Sequence, residues 1–235
     1  MLALVSSTLR PAAAEGYDGA RSRFSTAERL EQTRGTVGSL AALGFRRIVV
    51  ADNSDEWDAA AETALAPAEV WRIATPEFRN KGLAELFLLR SAAARLPPGD
   101  PVLKVSGRYL LVRNPLSELG DSDVALKGAD FGRRRGAMST RAYACRDVAT
   151  LQRLIARAID EAFAYPTRVV GPRSFWRLLC AALAPQRDTY PYADPPHSIE
   201  FTLARTIKLL RLRVHFVETL GVHGTMAGTG EHIDE

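Results

Sequence analysis

The sequence has few of the features that mark secreted or membrane-spanning proteins. It has only two cysteines, Cys145 and Cys180, and neither belongs to a Cys-x-x-Cys pair, so they cannot form a disulfide framework. Both lie in apolar surroundings, and we expect buried, inert thiols in a reducing cytoplasm. No apolar run approaches the ~20 residues that a membrane-spanning helix needs. The sequence therefore favours a cytoplasmic location and a folded soluble domain.

Several short motifs with a defined chemistry are also missing. The chain has no His-Glu-x-x-His, no Cys/His ligand set and no ligand spacing between His197 and His215. It has no Gly-x-Ser-x-Gly, no Walker loop and no Gly-x-Gly-x-x-Gly. Zinc hydrolase, serine hydrolase, P-loop NTPase and dinucleotide oxidoreductase functions all lose support.

The charge is mildly basic. The chain has 31 lysines and arginines against 27 acidic residues, a formal charge of +4. Such an excess suits an anionic small molecule or a membrane surface as well as nucleic acid. The only dense basic run is Arg133–Arg135, and it lacks the interleaved aromatic side chains on which bases stack. An RNA-associated domain is therefore the weakest of the hypotheses for this chain.

The order of apolar runs predicts one α/β domain, since 235 residues suffice for one large core. Strand-like runs alternate with helical periodicities, an order typical of parallel pairing. We predict a mostly parallel, Rossmann-like sheet with helices on both faces. The predicted strands are Leu2–Ser6, Arg47–Ala51, Val70–Ile73, Pro101–Val105, Val124–Leu126 and Val214–Val217. The predicted helices begin behind Ser25, near Leu83, behind Asp147, at Ser174 and at Ile199.

Polar clusters follow three of these strands directly. They are Ser6–Thr8, Asp52–Ser54 and Ser106–Arg108. In parallel sheets ligands bind outside the carboxyl ends of the strands, so we expect the three clusters to meet around one crevice.

The segment Lys104–Tyr109 is the most informative stretch. A lysine inside an apolar strand is costly to bury unless something negative pairs with it. Gly107 lets backbone approach a ligand closely, and Arg108 can grip phosphate oxygens with two N–H groups. The alternative is a strand end at which Lys104 and Arg108 simply reach solvent.

Other candidate residues also have two interpretations. Asp52 either caps its own turn or reaches a ribose hydroxyl. Asn80 and Lys81 either start a helix or present it to an anion. Glu200 is a carboxylate in the first turn of a helix, where it could equally well interact with the helix dipole. His223, in a glycine-rich stretch, could bind phosphate, coordinate a metal, or do neither.

Taken in order, the pattern resembles the GT-A type of nucleotide-sugar-dependent glycosyltransferase. Val5–Thr8 and Val50–Ser54 are similar to its first two strand ends, and Asn80–Glu85 looks like its Asn-x-Gly helix start. Ser198–Arg205, followed by Val214–Val217, is similar to the late helix and strand. The resemblance implies a catalytic domain over 1–220, with a nucleotide-binding half at 1–112 and an acceptor half at 113–220. The Gly- and Thr-rich residues 221–235 are expected to form a flexible tail.

The chain departs from the GT-A pattern at one central position. That pattern places Asp-x-Asp after a strand to hold a divalent cation, whereas this sequence has Lys104–Tyr109 there. Some bacterial polysaccharide-type proteins resemble this variant. Lys104 and Arg108 could supply the positive charge that Mg²⁺ or Mn²⁺ otherwise gives to a leaving diphosphate. We therefore expect no certain cofactor and do not favour a metal.

The resemblance also implies roles for individual residues. Glu200 would be the general base of an inverting transfer, with retention left open. The expected nucleotide- and donor-binding residues are Ser6, Thr8, Asp52, Asn80, Lys81, Lys104, Ser106, Arg108 and His223. The expected partners are a nucleotide-sugar donor and a carbohydrate or lipid-linked acceptor, with peripheral membrane contact compatible and nucleic acid excluded. The alternative is a non-catalytic nucleotide- or sugar-binding module of the same fold.

Overall fold

The structure is a computed structural model. It describes residues 1–11, 24–56, 59–76, 78, 80–129, 136–168, 171–183, 198–225 and 230–235. The basic run Arg133–Arg135 and His197 lie outside the described residues.

A seven-stranded sheet forms the centre of the molecule, in the order β10-β6-β9-β4-β1-β2-β3. Strand β9 is antiparallel to β4 and β6, and the other neighbours are parallel. The predicted mostly parallel sheet is thereby confirmed. The strands are β1 (Leu2–Ser7), β2 (Arg47–Asp52), β3 (Glu69–Arg72), β4 (Val102–Ser106), β6 (Val124–Leu126), β9 (Ala142–Cys145) and β10 (Val214–Phe216).

Two small antiparallel sheets accompany the central one. One has the order β12-β11-β5 and contains β5 (Tyr109–Leu111), β11 (Val222–Thr225) and β12 (His232–Asp234). The other pairs β7 (Gly128–Ala129) with β8 (Ala137–Met138). One expectation differs from this result. The segment 221–235 contains two strands rather than only a flexible tail, because β11 pairs with β5 and β12 pairs with β11, which satisfies their backbone groups.

Helices cover both faces of the central sheet, as predicted. The described helices are α1 (Thr26–Ala42), α2 (Ala59–Ala64), α3 (Lys81–Ala93), α4 (Val148–Thr167), α5 (Pro172–Leu183) and α6 (Ile199–Leu209), with a 3-10 helix at Pro115–Glu118. Successive side chains of a strand point to opposite faces, and β1 shows this directly. Leu2 and Leu4 pack in the core beneath α3, α4 and α6, whereas Ala3 and Val5 pack in the core beneath α1.

Local sequence signals fix where several helices start and end. Ser25 and Glu28 form the predicted capping box at the start of α1, and Gly44 follows its end with φ +81°. Asp147 Oδ1 accepts from the amide of Thr150 at 2.6 Å, and the Ser198 side chain accepts from the amide of Phe201. These caps fix the residues at which α1, α4 and α6 begin.

The two cysteines lie in different environments. Cys145 is buried in β9, and burial, reinforced by Asp147, raises the pKa of its thiol, which makes it inert. Cys180 is exposed, so the prediction of a second buried thiol was wrong. It lies on α5. Within the described residues, no helix is both long and apolar enough to cross a membrane.

Candidate functional site

A crevice opens at the carboxyl ends of β1, β2 and β4, where the sequence places its three polar clusters. Its volume is about 910 Å³, measured out to the open mouth. Its walls contain Ser6, Ser7 and Thr8 after β1, Asn53 after β2, Ser106, Gly107 and Arg108 after β4, Arg29 and Thr33 from α1, and Lys81, Ala84, Glu85 and Leu88 from α3, with Pro11 and Phe78 at the edge. The predicted meeting of the three clusters is confirmed.

Asp52 holds the floor of this crevice together and is itself buried. Its two carboxylate oxygens accept from the amides of Leu9, at 3.0 Å, and Ser54, at 2.8 Å. Beside it, Thr8 donates to Asn53 Oδ1 at 2.5 Å. The turn-forming interpretation of Asp52 therefore fits the structure, and the ribose interpretation does not, because the carboxylate has no access to the crevice. Asn53 is the residue after β2 that lines the wall.

Lys104 lies behind the crevice wall, and its side chain is only 1% exposed. Its Nζ lies 2.6 Å from Glu85 Oε1, 2.6 Å from the Thr140 carbonyl oxygen and 3.0 Å from Ser106 Oγ. An ammonium group has three N–H donors, and all three are directed at these protein acceptors. The predicted direct contact between Lys104 and a donor diphosphate does not fit this geometry. The lysine acts on the crevice by holding Glu85 and Ser106.

Glu85 is a crevice residue to which the sequence analysis gave no role. Its side chain is 23% exposed, lines the crevice from α3, and accepts from Ser6 Oγ at 2.7 Å. Burial raises its pKa, but Lys104, the Ser6 hydroxyl and Arg108 more than offset this and hold the pKa below its usual value of 4.5. Glu85 is therefore ionised at neutral pH. The need of Lys104 for a negative partner was the only sequence signal that pointed to it.

Three further cationic side chains line the crevice. Arg29 is a buried residue of α1 and donates to the Thr8 carbonyl oxygen, Lys81 is the first residue of α3, and Arg108 follows β4. Burial and repulsion from Arg108 lower the pKa of Arg29 to about 10, while Asp52 offsets part of this. Like charges forced together stabilise a bound anion, because the anion relieves their repulsion. The wall thus matches a ligand with more than one negative charge.

Gly107, directly after β4, packs closely against α1 and β1. A Cβ atom there would lie 3.2 Å from Thr33 Oγ1, 3.2 Å from Val5 Cγ1 and 3.3 Å from the Ser6 carbonyl oxygen. The Gly107 amide donates to that carbonyl at 2.8 Å, and its own carbonyl accepts from Thr33 Oγ1 at 2.8 Å. These bonds fix the backbone that presents Ser106 and Arg108.

Comparison with known proteins was made at the level of sequence and of fold. No family model matches the sequence, and no curated protein matches it either. A structure described as a nucleotide-diphospho-sugar transferase, from Desulfovibrio desulfuricans G20, superposes with a TM-score of 0.50 at 12% identity, over 92% of this chain and 78% of the other. The chain has a GT-A-type fold.

Two further solved structures are similar at lower scores. The galactosyltransferase LgtC, in complex with donor and acceptor sugar analogs, gives a TM-score of 0.49 at 9% identity, over 92% of this chain and 73% of that one. A nucleoside-diphosphate-sugar pyrophosphorylase from Vibrio cholerae RC9 gives 0.44 at 12% identity, over 92% and 91%. At such identities the likeness concerns the fold, which is one used by proteins that handle nucleotide sugars.

The remaining predicted residues of this GT-A-type chain lie outside the crevice wall. Asn80 caps α3, its Oδ1 accepting from the Gly82 amide at 3.0 Å. Glu200 is half-buried at the start of α6 and accepts from Thr140 Oγ1 at 3.2 Å. The carbonyl oxygen of the same Thr140 accepts from the ammonium group of Lys104. His223 lies on β11, with Nδ1 3.2 Å from Asp234 Oδ1. Their predicted roles remain predictions.

A divalent cation does not fit the groups that this crevice offers. Magnesium and manganese sites are built from carboxylates and other oxygens. The single carboxylate in the described wall, Glu85, is already paired with Lys104, and Arg29 and Arg108 lie beside it. Nowhere in the part of the chain that the structure describes do three or more His, Cys, Asp or Glu side chains cluster as metal ligands would. No step below is routed through a metal.

Proposed function

We propose that the chain is a glycosyltransferase that moves a sugar from a nucleotide-sugar donor to an acceptor hydroxyl. The observation that supports this most directly is the convergence of Arg29, Lys81 and Arg108 on one crevice of a GT-A-type fold. A nucleoside diphosphate carries several negative charges, and guanidinium groups bind phosphate oxygens through paired N–H groups. The crevice lies where ligands bind in open α/β sheets.

The proposed transfer needs no metal. As the bond between the anomeric carbon and the diphosphate breaks, its electron pair stays on the diphosphate, and negative charge grows there. Arg29, Lys81 and Arg108 would stabilise that charge. Lys104 would act indirectly, because it keeps Glu85 ionised and oriented.

Glu85 would then face the uncharged part of the donor. An ionised carboxylate repels phosphate but accepts hydrogen bonds from hydroxyl groups. We therefore place sugar or ribose hydroxyls against Glu85 and the diphosphate against the cations. This division of the crevice would orient the donor, since each end of the molecule has only one favourable partner.

Glu200 is the proposed general base. It would take the proton of the acceptor hydroxyl as that oxygen attacks the anomeric carbon, and attack opposite to the leaving group gives inversion. The contact of Glu200 with Thr140, whose carbonyl oxygen accepts from Lys104, supports this proposal, although Glu200 is not among the residues of the crevice wall. The acceptor would be a carbohydrate, free or lipid-linked, as in polysaccharide assembly in the cytoplasm.

The test is a transfer assay with purified protein, a panel of nucleotide sugars and carbohydrate acceptors. We expect donor consumption that is unchanged by EDTA. Complete loss in EDTA that Mn²⁺ restores would contradict the metal-independent mechanism. Binding of nucleotide sugar without turnover on any acceptor would instead favour a non-catalytic binding module.

A variant at position 200 tests the proposed base separately. Glu200→Gln should lower kcat by about 10²–10⁴-fold, the usual contribution of a positioned general base. Glu218→Gln, at an exposed carboxylate, serves as the matched control and should leave kcat unchanged. Near-normal transfer by Glu200→Gln would remove this residue as the base.

A further inference from the structure

Helix α5 exposes apolar side chains that neither core covers. Phe175 is 51% exposed and Trp176 is 61% exposed, and their rings meet edge to face with centroids 6.2 Å apart. Among the α5 residues whose side chains the structure describes, none is buried. The exposed Cys180 continues this apolar surface. An amphipathic helix with an uncovered aromatic face is expected to bind something apolar.

The charge of the same segment is entirely positive. From Ala162 to Leu183 the sequence contains Arg168, Arg173 and Arg177 and no aspartate or glutamate. Arg173 lies in the first turn of α5 and is exposed. The partner of α5 should therefore combine an apolar layer with negative charge.

Three further arginines surround Glu161, and one of them, Arg168, lies four residues before α5. Buried Glu161 accepts from both guanidinium nitrogens of Arg168 at 2.9 Å and from Arg205 Nε at 2.5 Å, and Arg157 lies 3.9 Å away. One carboxylate thus faces three guanidinium groups, each of which is partly exposed. Arg168 precedes the first residue of α5, Pro172, by about 14 Å of chain at most. The excess positive charge therefore lies close to the start of the helix.

We propose that α5 binds in the interface of an anionic lipid bilayer, parallel to its surface. Phe175 and Trp176 enter the boundary between headgroups and acyl chains, where aromatic rings are favoured, and the arginines contact lipid phosphates. A second copy of the chain fits less well, because two copies of α5 would bring arginines together with no carboxylate on either helix. The proposal concerns a surface outside the crevice and does not rest on the transferase function.

Vesicle flotation of the full chain tests this proposal. We expect binding to vesicles of phosphatidylcholine and phosphatidylglycerol, weak binding to phosphatidylcholine alone, and a decrease with added salt. The double variant Phe175→Ser/Trp176→Ser should bind anionic vesicles at least ~10-fold more weakly, because it lacks the two large apolar side chains that enter the bilayer. Phe216→Ser is the matched control, because Phe216 is 50% exposed on β10.

Each of the other outcomes overturns the proposal. Equal vesicle binding by the double variant and the control would show that α5 is not the binding element. Absence of binding to anionic vesicles by the unaltered chain would exclude a membrane partner. Concentration-dependent self-association that the double variant abolishes would make a second copy the occupant. The melting temperature should be unchanged in the double variant, because both side chains are exposed in the fold.

Discussion

The buried pair of Lys104 and Glu85 is the residue-scale feature from which the crevice chemistry follows. A lysine that is 1% exposed is tolerated because each of its three N–H groups has an acceptor. The pair is neutral, so it leaves the net charge of the crevice to Arg29, Lys81 and Arg108. In the proposed site Lys104 thus has a positioning role, and Arg29, Lys81 and Arg108 are the proposed contacts of the ligand.

Replacing Glu85 by glutamine should destabilise the fold in a pH-dependent way. The change leaves the Lys104 ammonium without its negative partner, and we expect a loss of about 2–4 kcal/mol near neutral pH. Because the folded pKa of Glu85 is below 4.5, its contribution is complete above that pH and disappears as pH falls through the folded value. The difference between the variant and the unaltered chain, measured by urea unfolding, should therefore shrink in acid.

Glu118→Gln is the matched control for that measurement. Glu118 pairs with Arg113 at 2.7 Å on the surface, where an ion pair contributes roughly 0–1 kcal/mol. If the loss in the free energy of unfolding caused by Glu85→Gln were the same at neutral and acidic pH, Glu85 would not be the ionised partner of Lys104.

The structure separates Arg108 from Lys104, to which the sequence analysis gave one role. Arg108→Met should weaken binding of a nucleoside diphosphate by about 10–100-fold, since a hydrogen bond to a charged group contributes about 1.5–3 kcal/mol. The free energy of unfolding of the Arg108→Met variant should hardly change, because Arg108 lies in the open wall of the crevice. Isothermal titration measures the affinity, with Arg113→Met as an exposed arginine outside the crevice. Equal affinity in both variants would remove Arg108 from the binding site.

At this scale the sequence could predict a requirement but not the residue that meets it. A lysine in an apolar strand requires an anion, and that inference holds. The identity of Glu85 depends on how α3 packs across the sheet, which local sequence does not determine. Arg29 was missed for a similar reason, since a charged residue in the first turn of α1 looks like a surface position until the fold buries it.

At the scale of elements, the small sheet of β5, β11 and β12 holds the segment that bears Arg108. Gly224 on β11 pairs with Tyr109 on β5, so the backbone of β11 lies directly against the turn after β4. The sequence analysis expected this tail to be flexible because its residues are small and its apolar runs short. Strands of three or four residues form here because their partners come from distant parts of the chain, and such pairing leaves no local signature.

Gly224→Ala tests whether β11 supports Arg108. The added Cβ would lie 2.8 Å from the Arg108 carbonyl oxygen and 2.7 Å from the Tyr109 ring, closer than a real Cβ contact. We expect a loss of about 1–3 kcal/mol in the free energy of unfolding, with weaker nucleotide binding because Arg108 must shift. Urea unfolding and titration measure both effects.

Gly38→Ala provides the control on the same scale. Its Cβ would meet nothing within 4 Å, and alanine in the interior of α1 should stabilise by about 0.5–1 kcal/mol. If Gly224→Ala behaved like Gly38→Ala, the close packing of β11 on the Arg108 segment would not support the site.

For the whole molecule, the sequence was sufficient for the architecture and for six strands of the central sheet, and insufficient for its seventh strand and for most of the small sheets. Buried β-branched runs and capped helices predict a mostly parallel sheet, and the parallel pairing of β1 with β2 and β4, and of β2 with β3, confirms it. Strand β9, Ala142–Cys145, was not predicted, because its short apolar run has neither a periodicity nor a turn signal of its own. It forms because β4 and β6 both need a partner on their inner edges.

The molecule also distributes its positive charge in two regions with different partners. One is the crevice of Arg29, Lys81 and Arg108, and the other is α5 with the arginines around Glu161. The formal charge of +4 is small for a nucleic-acid-binding domain. Concentrated in two regions, it is enough to attract anionic ligands to each of them. A phosphate-bearing small molecule and a phosphate-bearing surface are the partners we infer.

The central claim is that the crevice binds a nucleoside diphosphate through side-chain cations alone. Isothermal titration of nucleoside diphosphates against the unaltered chain in EDTA tests it directly, with the matching nucleosides as the comparison. We predict saturable binding of at least one diphosphate, no measurable binding of its nucleoside, and the same affinity when Mn²⁺ replaces EDTA. Binding only in the presence of Mn²⁺, or no binding of any diphosphate, would contradict the account.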